Sequence, residues 1–408
     1  MNNSPATVIE GATLVAGGRL ERASLRVEDG VITAIDGARD GAAIVDGQGL
    51  LLGPAFIDIH GDAFERQLMP RPGTMFPVEA ALLETDRQLA SNGIATTYHA
   101  LTLSWEPGLR SVEMGRAVFE ALAMLQPRLL VENRLQLRWE SFCFEAVDLI
   151  RDALQGPLVP AIAFNDHTSM AMLHPSVTMQ ERPFEFSADF PVVDLRSPAF
   201  AEKMGERARR AKMSTEAMVA LVSSIWERRS QVPAVIDTVA ALGRVAGAPM
   251  LSHDDSQIET RDYFRGQGAR ITEFPMNRRV ALSAREAGDT IVFGAPNAAR
   301  GGSHLGSSPG VAEMVREALC DVLASDYYYP AMLIGLARLA ADGVAAVPDL
   351  WPLVSGNPAR ALGLHDRGEI AIGKRADLVL VDWPMQGVPV VRRTWVAGRT
   401  AYDATPAG

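Results

Sequence analysis

The chain has 408 residues, of which 48% are hydrophobic and 22% charged, a composition typical of a globular enzyme and unlike that of a disordered or fibrous protein. The formal net charge of −10 gives no indication of non-specific binding to nucleic acid or to an anionic membrane. The two cysteines, Cys143 and Cys320, suit a reducing compartment better than a disulfide framework. With no pattern of a secretory signal and no apolar run of membrane-spanning length, we expect a cytoplasmic protein.

Both ends of the chain show short runs typical of β-strands. Residues 1–53 contain apolar runs separated by turn signals such as Asp29-Gly30, and Asp-Gly between two such runs is a strong hairpin signal. Residues 365–408 contain similar runs, for example Val390–Val396. We therefore predict that the two ends form one small β-sandwich domain, and that residues 54–364 form a second domain.

The middle of the chain alternates short apolar runs with longer helical patterns, as expected for a parallel sheet. Eight runs are strand candidates, which is the number that a closed (β/α)₈ barrel needs. They are Ala55–His60, Ile94–Ala100, Arg134–Glu140, Leu158–His167, Pro249–His253, Ala269–Phe274, Thr290–Gly294 and Cys320–Asp326. We therefore predict an α/β fold with a TIM-like (β/α)₈ barrel.

Catalytic groups of such barrels gather at the carboxyl ends of the strands. His60 and Asp62 lie at the end of the first strand, on one face by the two-residue period, and this pair suits a divalent transition metal such as zinc. Acidic and histidine residues also lie at the ends of four other strands: Glu140, His167, His253 and Asp326. A lone histidine on a strand is more often a hydrogen-bonded core residue. Three of the seven histidines lie at strand ends beside carboxylates, which favours a metal centre.

Two further features point to binding of an anion. The third strand alternates so that long polar side chains, among them Arg138, face inward, which is costly unless they bind something or each other. The glycine-rich segment Gly294–His304 follows the seventh strand and offers Arg300, Ser303 and His304 as donors. Barrels often bind phosphate in the loops after strands seven and eight. The segment therefore indicates an anion site, with an ordinary surface turn as the alternative.

Residues 168–212 depart from the alternating pattern. Thr168–Ala199 is rich in methionine, phenylalanine and proline without a clear period, and a helical pattern with a cluster of basic residues follows it. A long irregular stretch between barrel elements is often a lid over the active site. The alternative is a surface excursion with a solvated basic helix face.

Motifs at both ends of the barrel region resemble the amidohydrolase superfamily. They are Asp46-Gly47-Gln48-Gly49, Gly53–His60, Asn357-Pro358-Ala359 and Gly373–Leu378. Within this superfamily the chain is most similar to the α-D-ribose 1-methylphosphonate 5-triphosphate diphosphatase family of phosphonate metabolism. The stretches that carry this similarity are His60-Gly61-Asp62, Pro70–Gly73, Leu251–Asp255, Glu273-Phe274-Pro275, Gly294–His304, Ser325–Tyr328, Pro330-Ala331 and Asp366-Arg367-Gly368.

The resemblance implies a hydrolase that binds one or two divalent ions, with zinc expected and manganese or iron as alternatives. The ligands that it implies are His60, Asp62, Glu140, His167 and His253. Glu140 would take the bridging place that a carboxylated lysine fills in many relatives, and Asp326 would be the general base. The family's reaction releases pyrophosphate from a ribose 5-triphosphate and leaves the 5-phosphate.

The partner expected from this resemblance is a small phosphorylated sugar, and we expect no nucleic-acid or membrane partner. Arg71, Arg138 and Arg300 are the candidates for contacting its polyanionic chain, together with Ser303 and His304 in the loop after the seventh strand. A barrel of this size is also compatible with a homodimer.

Two departures from the family leave other functions open. Ala63 stands where the family has an asparagine, and Thr168–Met172 replaces a Pro-Gly-Gln run. The methionines of this second segment are compatible with a less charged substrate, so hydrolysis of an amide or cyclic amide is the alternative reaction. A non-catalytic barrel that binds a ligand is a third interpretation, and the presence of all six strand-end residues argues against it.

Overall fold

The computed structural model describes residues 6–303 and 308–404. Seven short strands form the N-terminal part of the chain. They are β1 (Thr7–Glu10), β2 (Thr13–Ala16), β3 (Arg19–Arg22), β4 (Leu25–Glu28), β5 (Val31–Ile35), β6 (Ala43–Asp46) and β7 (Leu51–Pro54). Four of them make one sheet in the order β5-β4-β1-β6, and the other three belong to a sheet completed by the C-terminus.

Eight parallel strands follow, arranged side by side in chain order. They are β8 (Phe56–Gly61), β9 (Ile94–Leu103), β10 (Glu132–Glu140), β11 (Ala161–Asn165), β12 (Met250–His253), β13 (Ile271–Glu273), β14 (Thr290–Gly294) and β15 (Val322–Ala324). A parallel bridge between Gly61 and Asp326 joins the last strand to the first. The predicted barrel is therefore confirmed.

Helices lie between the barrel strands and after the last of them. They are α1 (Glu65–Leu68), α2 (Val78–Ser91), α3 (Val112–Leu125), α4 (Val147–Leu154), α5 (His167–Met172), α6 (Pro198–Ala211), α7 (Thr215–Trp226), α8 (Val232–Ala246), α9 (Ile258–Gly266), α10 (Arg278–Glu286), α11 (Ala295–Arg300), α12 (Val311–Arg316), α13 (Ala331–Ala341), α14 (Val347–Leu350) and α15 (Gly356–Ala361). Helix α3 is typical of them. Ser111 caps it by accepting a hydrogen bond from the Met114 amide, and Val118 and Leu122 on its apolar face are buried. Within the described ranges, no helix is both long and apolar enough to cross a membrane.

The two ends of the chain meet in one sheet. The C-terminal strands are β16 (Leu378–Asp382), β17 (Val390–Val396) and β18 (Arg399–Asp403). The sheet order is β18-β17-β16-β7-β2-β3, so β16 pairs antiparallel with β7 from the other end of the chain. Ala397 and Gly398 have positive φ and form the turn between β17 and β18. The sheets of the small domain are thus present, and its boundaries at residues 53 and 365 stay a prediction.

The fourth barrel strand is shorter than the predicted Leu158–His167. It ends at Asn165, and the side chain of Asp166 accepts a 2.7 Å hydrogen bond from the amide of Ser169. This contact satisfies a free N–H group at the start of a helix, which favours helix over strand from this point. His167 therefore lies in the first turn of α5 and not at the end of a strand.

The segment from 168 to 212 packs against the barrel. Met172, Phe200 and Met204 are buried in a small apolar cluster of its own. The buried Arg182 pairs with Glu185 and donates a 2.9 Å hydrogen bond to the backbone carbonyl of Asp254, directly after β12. A buried ion pair of this kind is incompatible with a loosely solvated surface excursion, and it ties the segment to the carboxyl end of the barrel.

The junction between β8 and β15 depends on a buried carboxylate. Asp58 accepts hydrogen bonds from the amide and the hydroxyl of Ser325, at 2.9 and 2.6 Å. Gly61 lies against this contact, where a Cβ atom would come within 2.5 Å of Oδ2 of Asp58. Backbone hydrogen bonds from Asp62 to Asp326 and from Asp326 to His60, both 2.9 Å, complete the junction.

We expect the substitution Gly61→Ala to destabilise the protein by about 1–3 kcal/mol, because the new methyl group overlaps the Asp58 carboxylate at the barrel junction. Urea unfolding followed by circular dichroism measures the change. Gly266→Ala in α9 is the matched control, since nothing lies within 4 Å of a Cβ atom there. The control should be neutral or more stable, as alanine favours a helix over glycine. Equal midpoints for the two variants would contradict this account.

Candidate metal centre

The carboxylate of Glu273 lies between two histidines from the carboxyl ends of other barrel strands, His60 in β8 and His253 in β12. Oε2 of Glu273, the last residue of β13, lies 2.8 Å from Nδ1 of His253 and 2.9 Å from Nδ1 of His60. The two imidazole rings stack with their centroids 5.4 Å apart. Oε1 of Glu273 accepts a 2.9 Å hydrogen bond from the Gln136 amide, so both oxygens are engaged. Glu273 therefore hydrogen-bonds to His253 and lies within ion-pair distance of His60.

A local irregularity in β8 accompanies the position of His60. Ile57 and Ile59 pack in the apolar interior of the barrel, so the next residue would face outward in a regular strand. The pairing of β8 with β9 shifts register between Asp58 and Gly61. Such irregularities can re-aim a side chain, and here His60 enters the same centre as Glu273.

Arg138 lies in the middle of these strand-end side chains. It projects inward from β10, as the alternation predicted, and Nη2 lies 2.6 Å from Nε2 of His253. The same nitrogen is 3.4 Å from Nε2 of His167, and Nη1 is 4.0 Å from a carboxylate oxygen of Asp62. Three of the predicted metal ligands thus surround one guanidinium group.

Glu140 and His167 form a pair beside this guanidinium. Nδ1 of His167 lies 2.8 Å from Oε1 of Glu140, and the backbone amide of His167 donates to both carboxylate oxygens at 3.1 Å. The side-chain amide of Asn165 also donates to Glu140. Burial would raise the pKa of Glu140, but His167 and these hydrogen bonds hold it below its ordinary value.

Asp62 and Asp326 face His60 on the other side of the centre. One donor atom from each of these three side chains lies within 4.8 Å of the others. Asp326 has a left-handed backbone conformation with φ of 54°. Asp254 and Phe274, which follow β12 and β13, are also left-handed, with φ of 57° and 55°. Backbone geometry of this kind is uncommon outside glycine and is concentrated at functional sites.

The donor atoms fit a divalent metal ion. The three clusters of candidate ligands among the described residues are His60–His253–Glu273, His167–His253–Asp254 and His60–Asp62–Asp326. Nε2 of His60 is buried and has no hydrogen-bond partner in the described part of the chain. A buried imidazole nitrogen without a partner is costly unless it holds a ligand. Imidazole and carboxylate donors are those that zinc and related ions accept.

The two stacked histidines differ in the direction of their pKa shifts. Burial acts to lower the pKa of His60, but the neighbouring Glu273 carboxylate raises it to about 9. Burial and the guanidinium of Arg138 lower the pKa of His253. Burial, reinforced by the nearby Asp62 carboxylate, raises the pKa of Asp326 to about 7. With the protein groups alone, the pKa of Asp326 is therefore close to that of a general base that works near neutral pH.

Two cavities open on either side of the centre. The larger, about 370 Å³, includes Glu140 and His167 in its wall together with Arg110 and with Arg207 from α6. Both arginines are paired with carboxylates, Arg110 with Glu65 and Arg207 with Glu106. The smaller cavity, about 260 Å³, reaches the metal-site candidates directly. Its lining comprises His60, His253, Asp254, Phe274, Pro275, Met276, Phe293, Gly294, Asn297, Ser303, Ser308, Pro309 and Asp326.

The predicted substrate residues are distributed unevenly around the centre. Arg138 lies within it and Ser303 lines the smaller cavity, whereas Arg71 and Arg300 are exposed and line neither cavity. The segment that contains Arg300 is the short helix α11 and not a loop as predicted. Pro296 in its first turn and Gly301 at its end, with φ of 81°, favour this helix. His304 lies outside the described residues.

Glu273 and Asp254 are part of this centre but were not among the predicted site residues. Both lie at strand ends, and both take part in clusters that can hold a metal ion. In the sequence, Glu273 is visible only as part of the family-like motif Glu273-Phe274-Pro275. The strand that contains it, β13, has three residues, which is too short for alternation to indicate which side chains face inward. Its position at the carboxyl end of a barrel strand was the signal that would have identified it.

We expect Glu273→Gln to weaken binding of Zn²⁺ by about 10- to 100-fold, because an amide has an acceptor oxygen on one side only and cannot face both the imidazoles and the Gln136 amide as the carboxylate does. Titration calorimetry with Zn²⁺ on metal-depleted protein measures the change. Glu132→Gln is the control: Glu132 is also a partly buried carboxylate, but it pairs with Arg367 and Arg375 at the other end of β10. Equal affinity in the two variants would show that Glu273 does not organise the centre.

Known proteins share this fold. A β-aspartyl dipeptidase from Fervidobacterium islandicum AW-1 superposes with a TM-score of 0.60 at 14% identity, covering 98% of this chain and 97% of that structure. An adenosine deaminase from Xanthomonas campestris, solved with bound zinc, superposes with a TM-score of 0.59 at 14% identity, covering 97% of this chain and 92% of that structure. At this level of identity the likeness concerns the fold alone.

Two sequence comparisons also match named proteins. The profile of the amidohydrolase family matches residues 207–402. The α-D-ribose 1-methylphosphonate 5-triphosphate diphosphatase of Escherichia coli K12 is 29% identical over 381 residues, which cover 91% of this chain and 94% of that protein. These matches confirm the resemblance to the amidohydrolase superfamily, and they identify the chain as a metal-dependent hydrolase.

Proposed function

We propose that this enzyme hydrolyses the bond between the α- and β-phosphoryl groups of a ribose 5-triphosphate, releasing pyrophosphate. The observation that carries this choice of reaction is the match to the Escherichia coli diphosphatase, which extends over 91% of the chain. The proposed substrate is accordingly a small phosphorylated sugar of phosphonate metabolism.

The proposed metal ligands are those expected from the sequence: His60, Asp62, Glu140, His167 and His253. A bound divalent ion, with zinc as the first expectation and manganese or iron as alternatives, would lower the pKa of water and stabilise charge on phosphoryl oxygens. Glu273 and Asp254 join this set as the residues that orient or complete it. Glu273 lies against Nδ1 of both His60 and His253, which leaves Nε2 of each stacked ring for the centre.

Asp326 is the proposed general base. Its carboxylate lies beside Asp62 and His60, and backbone hydrogen bonds on either side of it fix its position at the barrel junction. It would accept a proton from the attacking water as the new bond to phosphorus forms and the bond to the leaving pyrophosphate breaks. Arg138, next to His253 and Asp62, supplies positive charge where the phosphoryl oxygens become more negative.

Substrate contacts are proposed at the smaller cavity and on the exposed surface. Ser303 lines the smaller one, and His304 follows it in the chain. Arg71 and Arg300 stay candidates for contacts with the outer part of a long polyanion, since both are exposed. The methionines after His167 do not remove charge from the site, because Met172 is buried in the cluster of the inserted segment and Met170 lines neither cavity.

Hydrolysis of an amide is the second candidate function. The observation that favours it is the lining of the smaller cavity, in which Phe274, Met276 and Phe293 are apolar. Among its described lining residues there is neither lysine nor arginine, so a neutral group would fit there. The same metal-assisted attack of water would then occur at a carbonyl carbon.

We expect Asp326→Asn to lower kcat for pyrophosphate release by about 10²- to 10⁴-fold, the range typical for loss of a general base. Release from a ribose 5-triphosphate, with nucleoside triphosphates as a second substrate set, is followed with a coupled pyrophosphatase assay. Asp321→Asn is the matched control, because Asp321 lies just before the same strand at the other end of the barrel and pairs with Arg285. Its kcat should stay near that of the wild type.

The same preparations decide between the two candidate functions. Pyrophosphate release that is lost in Asp326→Asn and kept in Asp321→Asn supports the diphosphatase. Release of an amine or ammonia from a panel of amides and cyclic amides, with the same dependence on Asp326 and no pyrophosphate from any triphosphate, would replace it by an amidohydrolase.

A further inference from the structure

The inward-facing side chains of β10 place a permanent positive charge inside the metal centre. Gln136, Arg138 and Glu140 alternate along this strand, and Arg138 is the middle one. Its side chain is only 8% exposed, and its Nε has no hydrogen-bond partner among the described residues. A guanidinium group keeps its charge at any pH that a protein tolerates. The centre therefore contains one cation that the chain itself supplies.

His253 cannot serve Arg138 and a metal ion with the same atom. Its Nδ1 is engaged by Glu273 at 2.8 Å, which leaves Nε2 to face the centre. Nη2 of Arg138 lies 2.6 Å from this Nε2. A neutral imidazole has one nitrogen lone pair available for an acceptor or ligand role. While Arg138 donates to that lone pair, a metal ion cannot use it.

The same conflict affects one of the three candidate clusters as a whole. His167, His253 and Asp254 form the cluster whose two imidazoles both face Nη2 of Arg138. The cluster of His60, Asp62 and Asp326 lies beside the guanidinium, with Nη1 no closer than 4.0 Å to Asp62. Both ring nitrogens of His60 are buried without a hydrogen-bond partner within the described ranges, and Nε2 is the one that does not face Glu273. The candidate ligand atoms that Arg138 does not contact are therefore on the His60 side.

We propose that this centre takes a single divalent ion, at His60, Asp62 and Asp326, and that Arg138 acts as its built-in second cation, held by His167 and His253. The proposal rests on the metal-dependent chemistry of the proposed function but not on its substrate. It narrows the expected one or two ions to one. It changes His167 and His253 from metal ligands to partners of Arg138, and it makes Asp326 a ligand of the ion as well as the proposed general base.

A guanidinium in this position suits an oxyanion that bridges the ion and Arg138. Its planar N–H groups match the geometry of phosphoryl and carboxyl oxygens, and its charge needs no recruitment from solution. It supplies one positive charge where a second divalent ion would supply two. The enzyme would consequently depend on the concentration of free metal ion to the first power and not to the second.

The first experiment measures metal stoichiometry without substrate. Chelator-treated protein is titrated with Zn²⁺, desalted and analysed for zinc per chain. We expect about one equivalent for the wild type and about two for Arg138→Met, which removes the charge but keeps much of the bulk. Arg134→Met on the same strand is the control, since Arg134 contacts Tyr98 and Glu132 away from the centre, and it should stay at about one.

The second experiment assigns the site in the wild-type background and does not depend on the Arg138 variant. His60→Ala should lose the bound zinc, whereas His167→Ala should keep about one equivalent. Loading with Mn²⁺ gives an independent readout, because two neighbouring Mn²⁺ ions are magnetically coupled and one is not. We expect an uncoupled paramagnetic resonance spectrum for the wild type and a coupled one for Arg138→Met.

Each outcome decides the matter. Two tightly held equivalents with a coupled Mn²⁺ spectrum in the wild type would overturn the proposal, and so would loss of zinc in His167→Ala. A folded Arg138→Met variant that still holds one equivalent would also overturn it. Failure of pyrophosphate release with one equivalent bound would change the substrate and leave the role of Arg138 intact.

Discussion

The contact between Asp58 and Ser325 is the interaction on which the rest of the barrel depends. It joins the first and last strands, and a fully buried carboxylate is tolerated there because two donors of one serine satisfy it. Burial nevertheless raises the pKa of Asp58 above its ordinary value. The junction brings His60 and Asp326 into neighbouring positions, although 265 residues separate them in the chain. Closure of the fold and assembly of the site are therefore one event.

A second buried carboxylate organises the opposite side of the centre. Glu273 contacts two imidazoles, and its own pKa is held well below the usual range by these partners, against the effect of burial. Burial and the guanidinium of Arg138 act to lower the pKa of both rings; for His60 the Glu273 carboxylate outweighs them, and for His253 it does not. Two rings of the same type thus acquire different proton affinities from one shared carboxylate and one neighbouring guanidinium.

Much of this arrangement was predictable from the sequence because strand periodicity and the position of strand ends are local properties. The eight strands and the convergence of His60 with Asp62 and Asp326 follow from them. What local patterns do not contain is the competition between neighbouring elements. Asp166 caps helix α5, so His167 lies in this helix and not in the predicted strand. Arg300 lies at the end of helix α11 and lines neither cavity. The engagement of Arg138 with His167 and His253 is a tertiary contact between two strands and a helix, which no spacing along the chain reveals.

The sheet shared by the two ends of the chain has a consequence for how the protein is made. Strand β7 ends at Pro54, and its antiparallel partner β16 begins at Leu378. At a synthesis rate of about 5–20 residues per second, the edge of β7 waits on the order of tens of seconds for that partner to leave the ribosome. During this interval its backbone groups are open to pairing with another nascent chain. Completion of this sheet is therefore a step of translation at which protection by chaperones would matter.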